Sequence, residues 1–241
     1  MQDSEDHPQR HSALVARELV WLDIDITALG KVHFGEQGSL REDGADYALF
    51  WSGKNKDERC LSGVGFMTKT SIARKLQNLP AGLSDCIISL RLQIQDNKFA
   101  TVLSVYAPSL QAETGVKEAF YHDLHNLLHQ VDSKDKLLIF GDFNARVGRD
   151  FELWKGVLGK HGIGNCNDNG RLLLEFSSEH QLVITNTLFR QKDRFKATWR
   201  HPRSKHWHLL DYIPTQQCDT RDILHTRVMS SADCYIDHRL E

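Results

Sequence analysis

An apolar run of strand length, Leu137-Leu138-Ile139-Phe140, stops abruptly on Gly141-Asp142-Phe143-Asn144-Ala145-Arg146, where an acid and an amide flank a phenylalanine. Four successive apolar residues bounded by charge fit a strand buried on both faces. Gly141 frees the backbone to turn, and Asp142 and Asn144, two apart, then emerge on the same side. A carboxylate there can activate water or, with its pKa raised, protonate a leaving oxygen, while the amide donates to a phosphoryl oxygen. The same residues are equally compatible with an Asx-type turn after a strand.

The rest of the chain alternates in the same way. From Ser12, read as an N-cap, Val15, Leu19 and Leu22 mark a short amphipathic helix, and Ile24, Ile26 and Ala28 alternate into a strand ending at Leu29-Gly30-Lys31. Residues 1–12 carry no pattern and are expected to be a mobile terminus. Residues 35–46 read as loop. Tyr47–Trp51 and Val64–Met67 read as strands joined by the charged Lys54–Arg59 segment, and Ile88–Ile94 pairs with Phe99–Tyr106 through the turn at Asp96-Asn97. Helices follow at Val116–Leu128 and Leu172–Glu179, with strands at Leu182–Thr187, Ala197–His201, His208–Ile213 and Arg227–Ser230. Antiparallel strands with a few interposed helices suggest two sheets face to face with helices outside.

With 241 residues, 40% of them apolar and 26% charged, the chain suits one substantial core in a single domain spanning residues 13–241. No apolar run reaches membrane-spanning length, and Met1–Asp6 is too polar for a signal peptide, so an intracellular protein with no membrane partner is expected. The five cysteines (Cys60, Cys86, Cys166, Cys218, Cys234) are odd in number and never spaced C-x-x-C, which suggests free thiols. A net charge of −2 is not that of a general nucleic-acid binder, so any such binding rests on a local patch. The segment Arg194–His208 offers one: Arg194, Lys196, Arg200, Arg203 and Lys205 interleave with Phe195, Trp199 and Trp207, as suits a phosphate backbone and unstacked bases. A solvated hairpin with its tryptophans packed inward fits the pattern as well. His201, His206 and His208 lack a carboxylate partner and are read as incidental.

Taken in order, Val105-Tyr106-Ala107-Pro108, GDFNARVG, NDNGRLLLEF, TNTLFR, KATWRHPRSKHWHLLDY and IDHRL resemble the endonuclease/exonuclease/phosphatase superfamily. Within it they are most similar to the apurinic-endonuclease-like domains of non-LTR retrotransposons and of craniofacial development protein two, thought to derive from them. The similarity runs from about Ala13 to Leu240. The resemblance implies a DNase I-like four-layered α/β sandwich, two mainly antiparallel sheets packed face to face with helices outside. It also implies Mg²⁺-dependent phosphodiester cleavage.

By position in the matching motifs, Asp142 looks like the residue that moves the proton, with Asn144 beside it. Tyr106 looks like the phenol that contacts the phosphate, His238 like the imidazole that stabilises the transition state, Asp211 like the carboxylate that orients His238, and Asp237 like a metal-side ligand. All are expected to share one cleft. Each also has a plainer reading: Tyr106 as packing at a strand end, His238 as a surface histidine, Asp211 as a strand-terminal acid.

Two departures argue for an impaired or inactive enzyme. Where the family reads Leu-Ser-Glu-Thr, this chain reads Leu29-Gly30-Lys31-Val32, so lysine stands at the position of the principal Mg²⁺ ligand, a cation that needs oxygen donors. Weak Mg²⁺ binding is expected, with Lys31 paired to Asp237 or another acid. The family's first strand, with its Trp-Asn pair, is not found before Ala13, and relatives continue past Leu240, so both ends look truncated and self-association through exposed sheet edges is expected. Cys86 stands where relatives commonly carry arginine. The alternative function is a non-catalytic nucleic-acid or protein interaction module, a pseudoenzyme; a lipid or inositol phosphatase on the same fold is the third reading.

Overall fold

The computed structural model describes residues 8–42, 44–54, 63–229 and 238–239. Helix α1 (Pro8–Trp21) leads into a first sheet of four antiparallel strands: β1 (Ile26–Gly30), β2 (Gln37–Glu42), β3 (Tyr47–Ser52) and β4 (Val64–Lys69), in the order β1-β4-β3-β2. A single turn of helix, α2 (Thr70–Ala73), leaves this sheet. The second sheet begins with β5 (Ala81–Gly82), β6 (Ile87–Gln95) and β7 (Lys98–Tyr106), and continues with β8 (Lys136–Asp142) and β9 (Leu182–Ile184). Helix α3 (Thr114–Gln130) bridges β7 to β8, and α4 (Asp168–Glu179) precedes β9. A two-stranded ribbon, β10 (Trp199–Arg200) with β11 (Trp207–His208), comes before β12 (Asp211–Tyr212) and β13 (Pro214–Gln216). The order of the second sheet is β5-β6-β7-β8-β13-β9, with β12 also on β8.

The layers follow from side-chain alternation. On β3, Tyr47, Leu49 and Trp51 face α1 and meet its Ala16 and Leu19, while Val64 and Phe66 of β4 face the other way. There they meet Ile88, Leu90, Val102, Leu138 and Phe140 of the second sheet. The far face of that sheet, through Leu103, Val105, Leu137 and Ile139, packs on Phe120 and Leu124 of α3 and Leu173 and Leu174 of α4. Helix, sheet, sheet, helix is thus a four-layered α/β sandwich, and β8 is covered on both faces as its unbroken apolar run requires. Each fully buried side chain of this kind stabilises by about 1.5–3 kcal/mol.

Parallel pairing of β7 with β8 through the α3 crossover brings Tyr106 and Asp142 opposite one another at the same sheet end. Gly141 is required there, because a Cβ would lie 2.0 Å from the Val105 carbonyl oxygen.

The structure corrects several sequence-based boundaries. Residues 37–42 form β2, not loop; this strand is polar with only Leu40 apolar, and its pairing with β3, residue by residue, is a property of the neighbour and not of its own pattern. Helix α1 begins by Pro8, a residue suited to a first helical turn, and Ser12 lies inside it with its hydroxyl donating to Glu42 at 2.5 Å. Helix α4 begins at Asp168 because the Asn167 side chain accepts from Gly170 N. The run 208–213 is divided among β11, β12 and a break between them, and in place of a strand at 227–229 Val228 N–H donates to the Phe195 carbonyl at 2.9 Å. Cys86, Cys166 and Cys218 are free thiols, while Cys60 and Cys234 lie outside the described residues. Among the described residues no helix is long and apolar enough to cross a membrane.

Candidate active site

Antiparallel pairing places Asp211 of β12 directly opposite Asp142 of β8, so both carboxylates project from one face of the sheet. Four contacts fix Asp211 there. Thr198 Oγ1 accepts from the backbone N–H groups of Leu210 and Asp211 at 3.1 and 3.3 Å, the Asn186 amide donates to the Asp211 carbonyl at 3.2 Å, and Asn186 Oδ1 accepts from Ile213 N at 2.9 Å. His238 is brought alongside by an isolated bridge to Trp199 and by Arg239 N–H donating to the Thr198 carbonyl at 2.7 Å. Its Nδ1 lies 2.8 Å from Asp211 Oδ2 and its Nε2 3.6 Å from Asp142 Oδ2. An imidazole between two carboxylates is thereby held in one orientation, Nδ1 toward Asp211 and Nε2 toward Asp142 and the cleft.

Asp142 is buried, and that burial, with the charge of Asp211, raises its pKa to about 7 against the opposing influence of His238, the Asn144 N–H and Lys31. A carboxyl so placed can give or take a proton near neutrality.

Asn144 adopts the left-handed region (φ 47) that asparagine tolerates. Its N–H donates to Asp142 Oδ1 at 2.8 Å, and its side-chain amide to the Ala107 carbonyl at 2.9 Å. The Asx-turn and the acid at a strand end are therefore one arrangement, and one Asn144 amide hydrogen serves to hold the turn against the end of β7. Asn169 continues the clamp, its amide donating to the carbonyls of Pro108 and Asn144 at 3.0 and 3.1 Å. Asn169, Asn186 and Thr198 were not singled out from sequence. All three lie within quoted motifs, NDNG, TNTLFR and KATW, but a motif does not distinguish a side chain that props a loop from one on the surface.

Lys31 follows β1 in the left-handed region (φ 55), with its Nζ 5.5 Å from the centroid of the Tyr106 ring. Both residues line a cavity of about 710 Å³ between the two sheets, together with Asp142, Asp211, His238 and Arg239. Ile26, Ala28 and Phe140 contribute an apolar part of its lining. Asp237 lies outside the described residues.

Ligand atoms of Asp142, Asp211 and His238 all fall within 4.8 Å of one another, so the group could hold a metal ion. The donor set described does not suit Mg²⁺, which demands oxygen ligands. His238 occupies the space between the two carboxylates, Asp142 Oδ1 already accepts a backbone N–H, and the Lys31 ammonium, which favours the charged form of Asp142, would repel a cation placed beside it.

The basic-aromatic segment divides. Lys196 is buried with its ammonium donating to the His161 carbonyl, which removes it from any phosphate-binding patch, because a chain of that length folded inward cannot also reach solvent. Trp199 is half-buried with its ring 6.3 Å from that of His238, so it borders the cleft and does not project from it. Arg200, Arg203 and Lys205 are exposed, Arg194 lies with its guanidinium 4.7 Å from the Phe195 ring, and Trp207 is exposed with Arg239 stacked 3.6 Å from its ring. His201, His206 and His208 form no metal-ligating group among the described residues.

No family model matches the sequence. Two curated relatives do, craniofacial development protein 2 of Bos taurus and of Tragulus javanicus, each 34% identical over 230 residues and 94% of this chain. The chain spans 37% and 38% of their lengths. Among solved structures, the endonuclease domain of TRAS1, a telomere-specific non-LTR retrotransposon, superposes with a TM-score of 0.63 at 13% identity, covering 95% of this chain and 89% of that one. D. rerio TDP2 complexed with a single-strand DNA product gives 0.59 at 10%, covering 98% and 91%. An endonuclease/exonuclease/phosphatase family protein from Leptotrichia buccalis gives 0.56 at 14%, covering 98% and 92%.

Proposed function

From the premise that the chain has the endonuclease/exonuclease/phosphatase fold and is a homologue of craniofacial development protein 2, we propose that its cleft binds phosphodiesters of DNA and hydrolyses them slowly at best. The observation that carries this reading is the Asp142–His238–Asp211 chain of contacts beside Tyr106, with the Lys31 ammonium in the same cleft. A phosphate seated against Tyr106 would meet positive charge from Lys31 and, when protonated, from His238. Asp211 holds the imidazole in position, and Asp142 takes a proton from the attacking water or gives one to the leaving oxygen. Lys31 supplies one fixed positive charge at the phosphate, without the ability to lower the pKa of a bound water as a metal ion does. Turnover is therefore limited by water activation. Arg200, Arg203, Lys205 and Trp207 provide a strip beside the cleft for the nucleic-acid backbone, with Arg194 at its edge.

The test is nicking of supercoiled and abasic plasmid by the purified chain, with and without Mg²⁺, beside Asp142→Ala. We expect slow nicking that Asp142→Ala abolishes and Mg²⁺ stimulates little. Fast, strongly Mg²⁺-dependent nicking would show that the site is complete; nicking equal in Asp142→Ala would remove this cleft from the chemistry.

A second reading, a non-catalytic nucleic-acid-binding module, is favoured by Lys31 and by the exposed basic strip. Under it the chain binds DNA with a salt-dependent affinity that Asp142→Ala leaves unchanged and nicks nothing.

A further inference from the structure

The outer helical layer carries a cluster of imidazoles that the cleft does not use. His125 and His129 are four residues apart on α3 and so share one face of that helix. His180, the residue that closes α4, meets them from the neighbouring helix. One ligand atom from each lies within 4.8 Å of the other two. His125 Nδ1 and His180 Nε2 are 3.1 Å apart, and His129 Nδ1 is 2.9 Å from the His125 carbonyl oxygen. Because a carbonyl oxygen only accepts, His129 Nδ1 carries a proton there and leaves the Nε2 lone pair exposed, the orientation that a backbone partner imposes on metal-binding histidines. Glu179 adds a carboxylate, with Oε1 3.6 Å from His125 Nδ1. The ring of Phe176 lies against His180, the two centroids 4.4 Å apart, and forms an apolar floor.

We propose that His125, His129 and His180, with Glu179 as the fourth donor, bind a transition-metal dication of the zinc class and that the ion staples α3 to the end of α4. Zinc–nitrogen bonds of about 2.0–2.1 Å in a tetrahedron put neighbouring nitrogens roughly 3.4 Å apart. The His125–His180 pair is already near that spacing, and rotation of the exposed Glu179 side chain, with a small shift of His129 that keeps its Nδ1 hydrogen bond, completes the set. Imidazole nitrogens select zinc, copper or nickel over magnesium and calcium. Helices α3 and α4 pack on the face of the second sheet turned away from the first, so this site is separate from the Asp142 cleft.

Isothermal titration of the full chain with Zn²⁺, beside His129→Gln and the His129→Gln/His180→Gln double variant, tests the assignment. The chain has 13 histidines, so the readout is the difference between proteins. We expect the double variant to lose one equivalent of Zn²⁺ and His129→Gln to bind that equivalent at least tenfold more weakly. The parent chain should gain thermal midpoint with Zn²⁺, lose the gain with chelator, and show none of it with Mg²⁺. His129 is exposed, so its single variant keeps the test open should the double variant fold poorly. Equal Zn²⁺ stoichiometry and affinity in all three proteins, or no Zn²⁺ binding by the parent, would overturn the proposal.

Discussion

Burial of Asp142 opposite Asp211 gives that side chain a pH-dependent stability cost. A folded-state pKa of about 7, above the ordinary 3.8, means that the native chain holds a proton the unfolded chain has already released. Stability from this group is full below the unfolded pKa and is lost as pH rises through the folded one. Asp142→Asn removes the charge while keeping the shape. Its thermal midpoint should therefore rise relative to the parent at pH 8 and change little at pH 5, as calorimetry at the two pH values would reveal; a larger gain at pH 5 would show that the carboxylate is held charged. Lys31→Glu exchanges an ammonium for a carboxylate beside Tyr106, so Mg²⁺ should bind it more tightly by titration calorimetry, with faster Mg²⁺-dependent nicking. Unchanged affinity would place Lys31 away from any metal position.

Elements in this protein are tied to one another by a few buried polar contacts. Asp135, buried just before β8, accepts from Arg91 of β6 through Nε at 2.6 Å and Nη2 at 2.9 Å, and from Thr101 of β7 at 2.9 Å. The fork of the guanidinium holds its carboxyl below the usual range. Asp135→Asn leaves donors facing donors in a buried position and should cost about 1–3 kcal/mol by urea unfolding. Arg91 is partly exposed, so Arg91→Ala should cost less.

Apolar burial decides which elements are legible in the sequence. β8 was legible because burial on both faces writes an unbroken apolar run, and α3 because Phe120 and Leu124 repeat at helical spacing. β2 was not, because a half-exposed strand at a sheet margin needs few apolar residues of its own. In the cleft, Tyr106, Asp142, Asp211 and His238 were legible through ordered motifs. The inward turn of Lys196 was not, because lysine in sequence carries no record of whether its ammonium reaches solvent or a carbonyl. The histidines of α3 and α4 escaped notice because their ligand set comes from two helices distant in the chain.

At the scale of the whole molecule, four layers place the cleft at the strand ends between two sheets and the imidazole cluster on the outer helices. The order β8-β13-β9 means that the late strand β13 fits between two strands made before it. Until it arrives, β8 and β9 have a strand's width of space between them and no partner for their facing backbone groups. Asp142 also waits for Asp211, carried on β12 just ahead of β13, before it has a neighbour to share a proton with. Non-local pairing of this kind pays its loop-closure entropy before the contacts form and slows folding. The cleft thus comes into being as the second sheet closes, and a refolding chain should gain its helices well before Asp142 and Asp211 are brought together.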